Sequence, residues 1–452
     1  MKEKFPVRNT VAHSMANISY GFAQCVVTFV IYFATESLAI TAAAASTMIV
    51  AVKVIDAFTD IITGIFIDKV KSKYGKARPW FLWMALPYGL CLTLMFSVSA
   101  GLPYAMKLFL LGLFYVLTVS VFGTVIGVAR VALVSRATNN QKHRGIIAEI
   151  GDTVGGLLVG IIMTVTLPMV AVIGWFNTFL IFGILAFITS ILCFFLTKEC
   201  ESEVEEALRM QKKESIRDIF SALFRNKYAL ILLLIVVITE ISFGLMQTGG
   251  TYYFQYVAGN INLYSICMGI SLVGGVIGMI VCIPLIGKFG NKVVMIIGYA
   301  GILICYAGIF ISNGSVPMLT ATLLAIISTL LTCCEVGSFS ALASMAVDYG
   351  EYKTGTRTEG ITSCVVNVGI KIGTALAAGI LGWIMSAGGY VEGGVDQSAA
   401  AIQSIKVAYL YVPAVFVIIA LIVVSTAWTL SKKYPQIKAE LDSRKAAQGV
   451  QN

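Results

Sequence analysis

Lys53-Val-Ile-Asp56-Ala-Phe-Thr-Asp60-Ile-Ile-Thr-Gly64-Ile-Phe-Ile-Asp68 is a charged stretch set inside an otherwise apolar run over 40–67. On a helix, side chains three and four apart are neighbours, so Lys53, Asp56 and Asp60 share one face. An ionisable group at the centre of a bilayer costs at least about 2.5–3.5 kcal/mol, so such groups are rare without a use. Two carboxylates beside an ammonium suit a travelling cation, Na+ or H+, with Asp56 and Asp60 as the metal ligands if the ion is Na+. The ordinary alternative is an internal salt-bridge knot that holds helices together.

The bilayer reading comes from the rest of the chain. Of 452 residues, 58% are hydrophobic and 12% charged, against roughly 25% charged in a soluble domain. A span needs about 20 apolar residues. Twelve segments qualify: 11–34, 40–67, 80–99, 104–132, 145–170, 174–197, 228–257, 262–286, 292–312, 317–346, 360–386 and 402–430. The prediction is an all-α membrane protein of two six-helix halves, 1–197 and 228–431, with a linker at 198–227 and a tail at 432–452. No removable signal peptide is expected, because no small-residue cleavage site follows the basic first residues.

Lys and Arg collect in alternate loops (Lys69 to Arg78, Arg136 to Arg144, the central linker, the tail), while the opposite side offers only Lys107 and Lys406. The positive-inside rule then places both termini in the cytoplasm and explains the net charge of +9 better than nucleic acid does. The two halves carry similar loops after their second spans, Gly64 to Lys76 and Pro284-Leu-Ile-Gly287-Lys288-Phe-Gly290-Asn-Lys292. This arrangement resembles the major facilitator architecture, in which substrate binds near mid-membrane between halves.

An enzyme is not expected. The two histidines, His13 and His143, lie far apart near span ends, and the ten cysteines sit mostly in apolar runs without a CxxC pair. No cofactor is implied beyond the coupling ion. The remaining intramembrane charges are Arg130, Glu149, Asp152, Glu240, Glu335 and Lys371. Arg130 and Asp152 either pair with each other or hold substrate. Lys371 is the expected counter-charge to Asp56 and Asp60. Glu240 and Glu335 are further substrate candidates, and Glu149 suits a solvated edge. Tyr20 and Gln24 share a face of the first span and can donate hydrogen bonds into a cavity. Tyr253, with Tyr252, Phe254 and Tyr256, either stacks on a sugar ring or packs between helices.

Three stretches resemble the glycoside–pentoside–hexuronide:cation symporters, the melibiose permease type of the major facilitator superfamily. They are Asp56 to Asp68 continuing through Lys73-Tyr-Gly75-Lys-Ala-Arg78-Pro79-Trp80, then Asp348-Tyr-Gly-Glu351-Tyr-Lys-Thr-Gly355-Thr-Arg357-Thr-Glu359-Gly360, then Lys371-Ile-Gly373. The resemblance covers essentially the whole chain. It implies a secondary transporter that moves a sugar or glycoside with Na+ or H+ by alternating access across a cell membrane (in bacteria the inner membrane). By resemblance Asp56, Asp60 and Thr124 bind the cation, and Lys371 stands between cation and sugar. It also implies that Lys53 matches a basic residue one turn before the aspartates. Gating would use Lys53 together with Asp68, Arg78, Asp348, Glu351 and Arg357 of the two loops. The family's sugar-binding aspartates on helices 1 and 4 align with Tyr20 and Gly127, its stacking aromatic with Val131, and its helix 5 arginine with Asp152. The cation side is thus retained and the galactoside pocket altered, which leaves an acidic or sulfonated sugar drawn to Arg130 as one option. The alternative substrate is a lipid or other amphiphile, marked by a lateral apolar opening.

Overall fold

Within lipid every backbone N–H and C=O must be satisfied inside the chain, so an apolar sequence of this length folds as helices. The computed structural model describes residues 5–69, 72–199, 223–312, 316–355 and 360–449, and among these there is no strand. The helices are α1 (Val7–Tyr32), α2 (Ala42–Lys69), α3 (Arg78–Met95), α4 (Tyr104–Tyr115), α5 (Thr124–Ala137), α6 (Gln141–Leu196) and α7 (Lys227–Tyr252). They continue with α8 (Asn262–Phe289), α9 (Asn291–Ser312), α10 (Pro317–Thr354), α11 (Gly360–Ala387), α12 (Ala399–Lys406), α13 (Val412–Ile422) and α14 (Leu430–Gly449). Widened π turns extend α1 (Phe33–Ser37) and α7 (Tyr253–Val257), join α4 to α5 (Val116–Gly123) and α12 to α13 (Val407–Tyr411), and follow α13 (Val423–Ala427).

Nine helical stretches among the described residues are long and apolar enough to cross a bilayer, and one of them, Lys142–Leu196, runs to 55 residues. It breaks at Gly174, whose φ of 79° and ψ of 168° leave the helical region; a residue without Cβ adopts that conformation without strain. With its two arms counted separately, and with α2 and α3, the helices make the twelve crossings the sequence predicts. The 28-residue α2 carries the charged stretch.

The chain divides into two compact units. The first comprises 1–212, 254–269 and 382–404, the second 213–253, 270–381 and 405–452. In the first unit α1 lies directly on α6. A Cβ at Gly151 would stand 2.2 Å from the His13 ring, and one at Gly155 2.9 Å from Asn17 Cβ. Gly89 of α3 and Gly183 of α6 meet in the same way, each hypothetical Cβ 2.5 Å from the other's carbonyl oxygen. Small residues set these distances, as helix contacts in lipid require.

In the second unit Asn226 caps α7, accepting from the N–H groups of Tyr228 and Ala229 while donating to the Ala346 carbonyl at 2.7 Å. Two boundaries differ from the sequence reading. Helix α10 does not stop at 346 but runs to Thr354, so 348–354, expected in a loop, is helical. Nothing breaks the helix until Gly355, which ends it at φ 73°. The tail is also a helix, α14. Its Tyr434 hydroxyl donates to Asp348 at 2.7 Å, and Arg444 reaches the Tyr352 carbonyl and stacks on that ring.

The 72–78 turn is fixed by a residue the motif does not contain. The Glu199 carboxylate accepts from the N–H groups of Lys76 (3.0 Å), Ala77 (2.9 Å) and Arg78 (2.6 Å), at the start of α3 where such donors have no helical partner. Arg136 adds a charge at 3.8 Å. Glu199→Ala is expected to cost about 1–3 kcal/mol, the range for stranding buried donors. The measurement is the thermal midpoint of the purified protein, and an unshifted midpoint would remove Glu199 from this role.

Candidate functional site

The charged stretch of α2 folds as the sequence predicts. Asp56 is 6% exposed and accepts a hydrogen bond from the Thr124 hydroxyl at 2.9 Å. Lys53 and Asp60 are half-buried on the same helix. Thr124 opens α5 directly after the π turn Val116–Gly123, and such turns widen a helix where function places an odd residue. That widened region also holds the buried Thr118 hydroxyl, and α4 ends on the buried Tyr115 hydroxyl. Neither hydroxyl has a hydrogen-bond partner among the described residues. Carboxylate and hydroxyl oxygens are hard ligands, suited to an alkali cation or a proton. Among the described residues no three or more His, Cys, Asp or Glu side chains form a metal-binding group.

Two turns beyond Thr124 on α5, the polar residues of α1 and α6 converge on Arg130. Its Nη1 donates to Asp152 Oδ1 at 2.8 Å and to Asn17 Oδ1. The guanidinium lies 5.0 Å from the Tyr20 ring centre, and Gln24 donates to the Tyr20 hydroxyl at 2.9 Å. Arg130 and Asp152 therefore pair, with Asp152 63% exposed. A carboxylate so exposed in the middle of a span faces water. The alignment departures at 20 and 127 are linked: a Cβ at Gly127 would lie 2.8 Å from Tyr20 Cε2, so the tyrosine fills the space a side chain at 127 would need. Val131, at the stacking position, is 64% exposed.

Asn17, which bridges His13 and Arg130, escaped the sequence reading, as did Glu36 at the far end of the first span. The Glu36 carboxylate accepts from the Tyr256 hydroxyl at 2.5 Å and from the Tyr390 hydroxyl. Glu392 accepts from the Ala42 N–H at 2.8 Å close by. All these residues belong to the first unit. No local pattern marks Glu36, whose partners stand 220 and 354 residues away.

The other candidates fall elsewhere. Glu335, Lys371 and Tyr253 belong to the second unit. Tyr253 is 3% exposed with its ring 4.9 Å from that of Tyr409, a packing contact between helices. Glu335 Oε1 is buried without a hydrogen-bond partner among the described residues. Of the gating residues, Arg78 donates to the Phe194 carbonyl at 2.7 Å and stacks on the Phe194 ring. Asp348 and Glu351 sit on the last turns of α10. The Asp68 side chain and Arg357 lie outside the described residues.

A multi-pass helical bundle with a buried carboxylate–hydroxyl pair and a polar patch open to water is a membrane transporter rather than an enzyme. Solved structures share the fold: a D-xylose-proton symporter (TM-score 0.66, 13% identity, 94% of this chain and 98% of that one) and the nucleoside transporter NupG (TM-score 0.65, 13% identity, 95% and 100%). The chain belongs to the MFS/sugar transport protein family, whose profile matches residues 12–428. It is 28% identical over 459 residues to the isoprimeverose transporter of Lactiplantibacillus pentosus, covering 99% of this chain and 94% of that protein. It is 30% identical over 463 residues to a putative sulfoquinovose importer of Escherichia coli strain K12, covering 98% and 95%.

Proposed function

We propose that this chain is a secondary active carrier of the cell membrane, with both termini cytoplasmic, that imports a sugar or glycoside with Na+ or H+. Uptake proceeds by alternating access of two six-helix halves about a central site. The observation that carries the reading is the buried Asp56 carboxylate held by Thr124, one helical turn before Asp60 on α2. A buried carboxylate within a span is suited to an arriving monovalent cation. The names of the relatives, an isoprimeverose transporter and a putative sulfoquinovose importer, support the substrate class. Binding of cation and sugar is then coupled reciprocally, by about 1–3 kcal/mol in typical cases.

The test is purified carrier in proteoliposomes, offered radiolabelled glycosides under a sodium or a proton gradient imposed separately. Accumulation driven by one gradient is the expected result; equal uptake with neither gradient present would overturn coupling. A carrier of amphiphiles is the second reading. It is favoured by an apolar groove of about 610 Å³ between α6 and α8, lined by Thr164, Pro168, Val172, Ile266 and Gly269 among others. A long-chain alkyl glycoside that competes while its methyl counterpart does not would favour it.

A further inference from the structure

We infer that the substrate carries an anionic group, a carboxylate or sulfonate on the glycoside, and that Asp152 is its internal stand-in on Arg130. This rests on the sugar-carrier reading above.

Arg130 is held in place from three sides. Asn17 and Asp152 accept from the same nitrogen, Nη1, and the Tyr20 ring lies against the guanidinium face. The Nε–H is buried and has no hydrogen-bond partner among the described residues. A guanidinium offers donors in a rigid fork that matches two oxygens of one anion, and Asp152 is seen to use a single donor nitrogen. The fork is therefore oriented by the protein and left partly unused.

Asp152 has the properties of a displaceable partner. At 63% exposure it is solvated on most of its surface, and an ion pair so exposed is weak and screened. Turning it into water costs little, because its charge is already hydrated. Arg130 is different: its side chain is 22% exposed, and a guanidinium in a span needs a counter-charge. An arriving anionic glycoside supplies that charge with two oxygens instead of one, while Asp152 moves to solvent. A neutral sugar gives Arg130 no such exchange.

Asn17 connects this site to His13, donating through Nδ2 to the His13 carbonyl and lying 3.0 Å from its Nε2. That leaves Asn17 Oδ1 turned towards Arg130. Asn17 thus positions the guanidinium rather than touching substrate.

The experiment compares a hexuronide, a sulfonated hexoside and the neutral parent hexoside of the same linkage, by calorimetric binding and by uptake into proteoliposomes. It uses wild type, Asp152→Asn, Arg130→Gln and Arg130→Lys, each checked for monodispersity. The wild type is expected to prefer one or both anionic sugars over the neutral parent. Arg130→Gln should lower binding of the anionic sugar roughly 10- to 100-fold, the range for losing a charged hydrogen-bond partner. Arg130→Lys should recover part of that loss. Asp152→Asn, which removes the internal competitor, should tighten anionic binding roughly two- to fivefold.

The inference falls if Arg130→Gln leaves the charged-to-neutral preference unchanged, or if Asp152→Asn weakens anionic binding as Arg130→Gln does. It also falls alone if the neutral hexoside binds and both anionic ones do not. If no glycoside of any charge binds the wild type, the sugar-carrier reading falls and takes this inference with it.

Discussion

Asp56→Asn is expected to abolish accumulation of substrate against its gradient while leaving exchange of substrate across the membrane measurable. The asparagine keeps the volume of the aspartate and an oxygen for the Thr124 hydroxyl, so the helix contact at 2.9 Å can persist. What disappears is the charge. A carboxylate and a monovalent cation about 3 Å apart at an effective dielectric of ~20 attract by about 5 kcal/mol, and half of that is roughly 100-fold in cation affinity. Concentrative uptake should fall by about that factor, whichever ion couples. Asp60→Cys acts in the same direction. Thr124→Ala removes one neutral oxygen and should raise the cation concentration needed for half-maximal uptake by roughly tenfold, with maximal uptake retained. The measurements are initial rates and steady-state accumulation in proteoliposomes under imposed gradients, with counterflow as the control for a folded carrier. Full accumulation by Asp56→Asn would show that this carboxylate only holds helices together.

The charged stretch of α2 was legible because its signal is local. Three charges at helical spacing in an apolar run need no distant partner to be noticed, and Asp56 sits buried where that periodicity puts it. The hydroxyl opposite it was reached only through the resemblance, since a threonine in a span carries no signal of its own. The sites around Arg130 and Glu199 were legible in part. The ion pair of Arg130 with Asp152 follows from charge on neighbouring helices. Asn17 is 113 residues from Arg130, and Glu199 is 121 from Arg78, and no pattern in the sequence expresses such pairings. The same limit applies to helix ends. Nothing in 347–354 distinguishes a helix projecting beyond the bilayer from a loop; the contact of Asp348 with Tyr434 in the tail holds it.

Gly127→Asp is expected to abolish most uptake by itself and to be rescued by shrinking Tyr20, a reciprocity that only a shared space produces. A Cβ at 127 would meet Tyr20 at 2.8 Å on Cε2, 3.3 Å on Cδ2 and 3.5 Å on Cζ, so the whole ring edge must move. That ring cannot shift without cost, because its hydroxyl accepts from Gln24 and its face supports Arg130. Overpacking of this kind costs about 1–3 kcal/mol, which is roughly 5- to 150-fold if the strain is borne by the bound state. The aspartate adds a second effect. It stands three residues before Arg130, one helical turn away, and competes for the guanidinium. Gly127→Ala separates the two: it keeps the clash and omits the charge, so the difference between the variants measures the competition. Tyr20→Ala opens the space, and in Tyr20→Ala/Gly127→Asp the steric loss should vanish, with a coupling of about 0.5–3 kcal/mol between the sites. Uptake of the anionic sugar should stay low in that double variant, since the new carboxylate still occupies Arg130, whereas Tyr20→Ala/Gly127→Ala should recover it. Additive losses in both double variants would mean that Tyr20 and Gly127 act independently, and that the exchange of an acidic for an aromatic residue on the first span has no partner on α5.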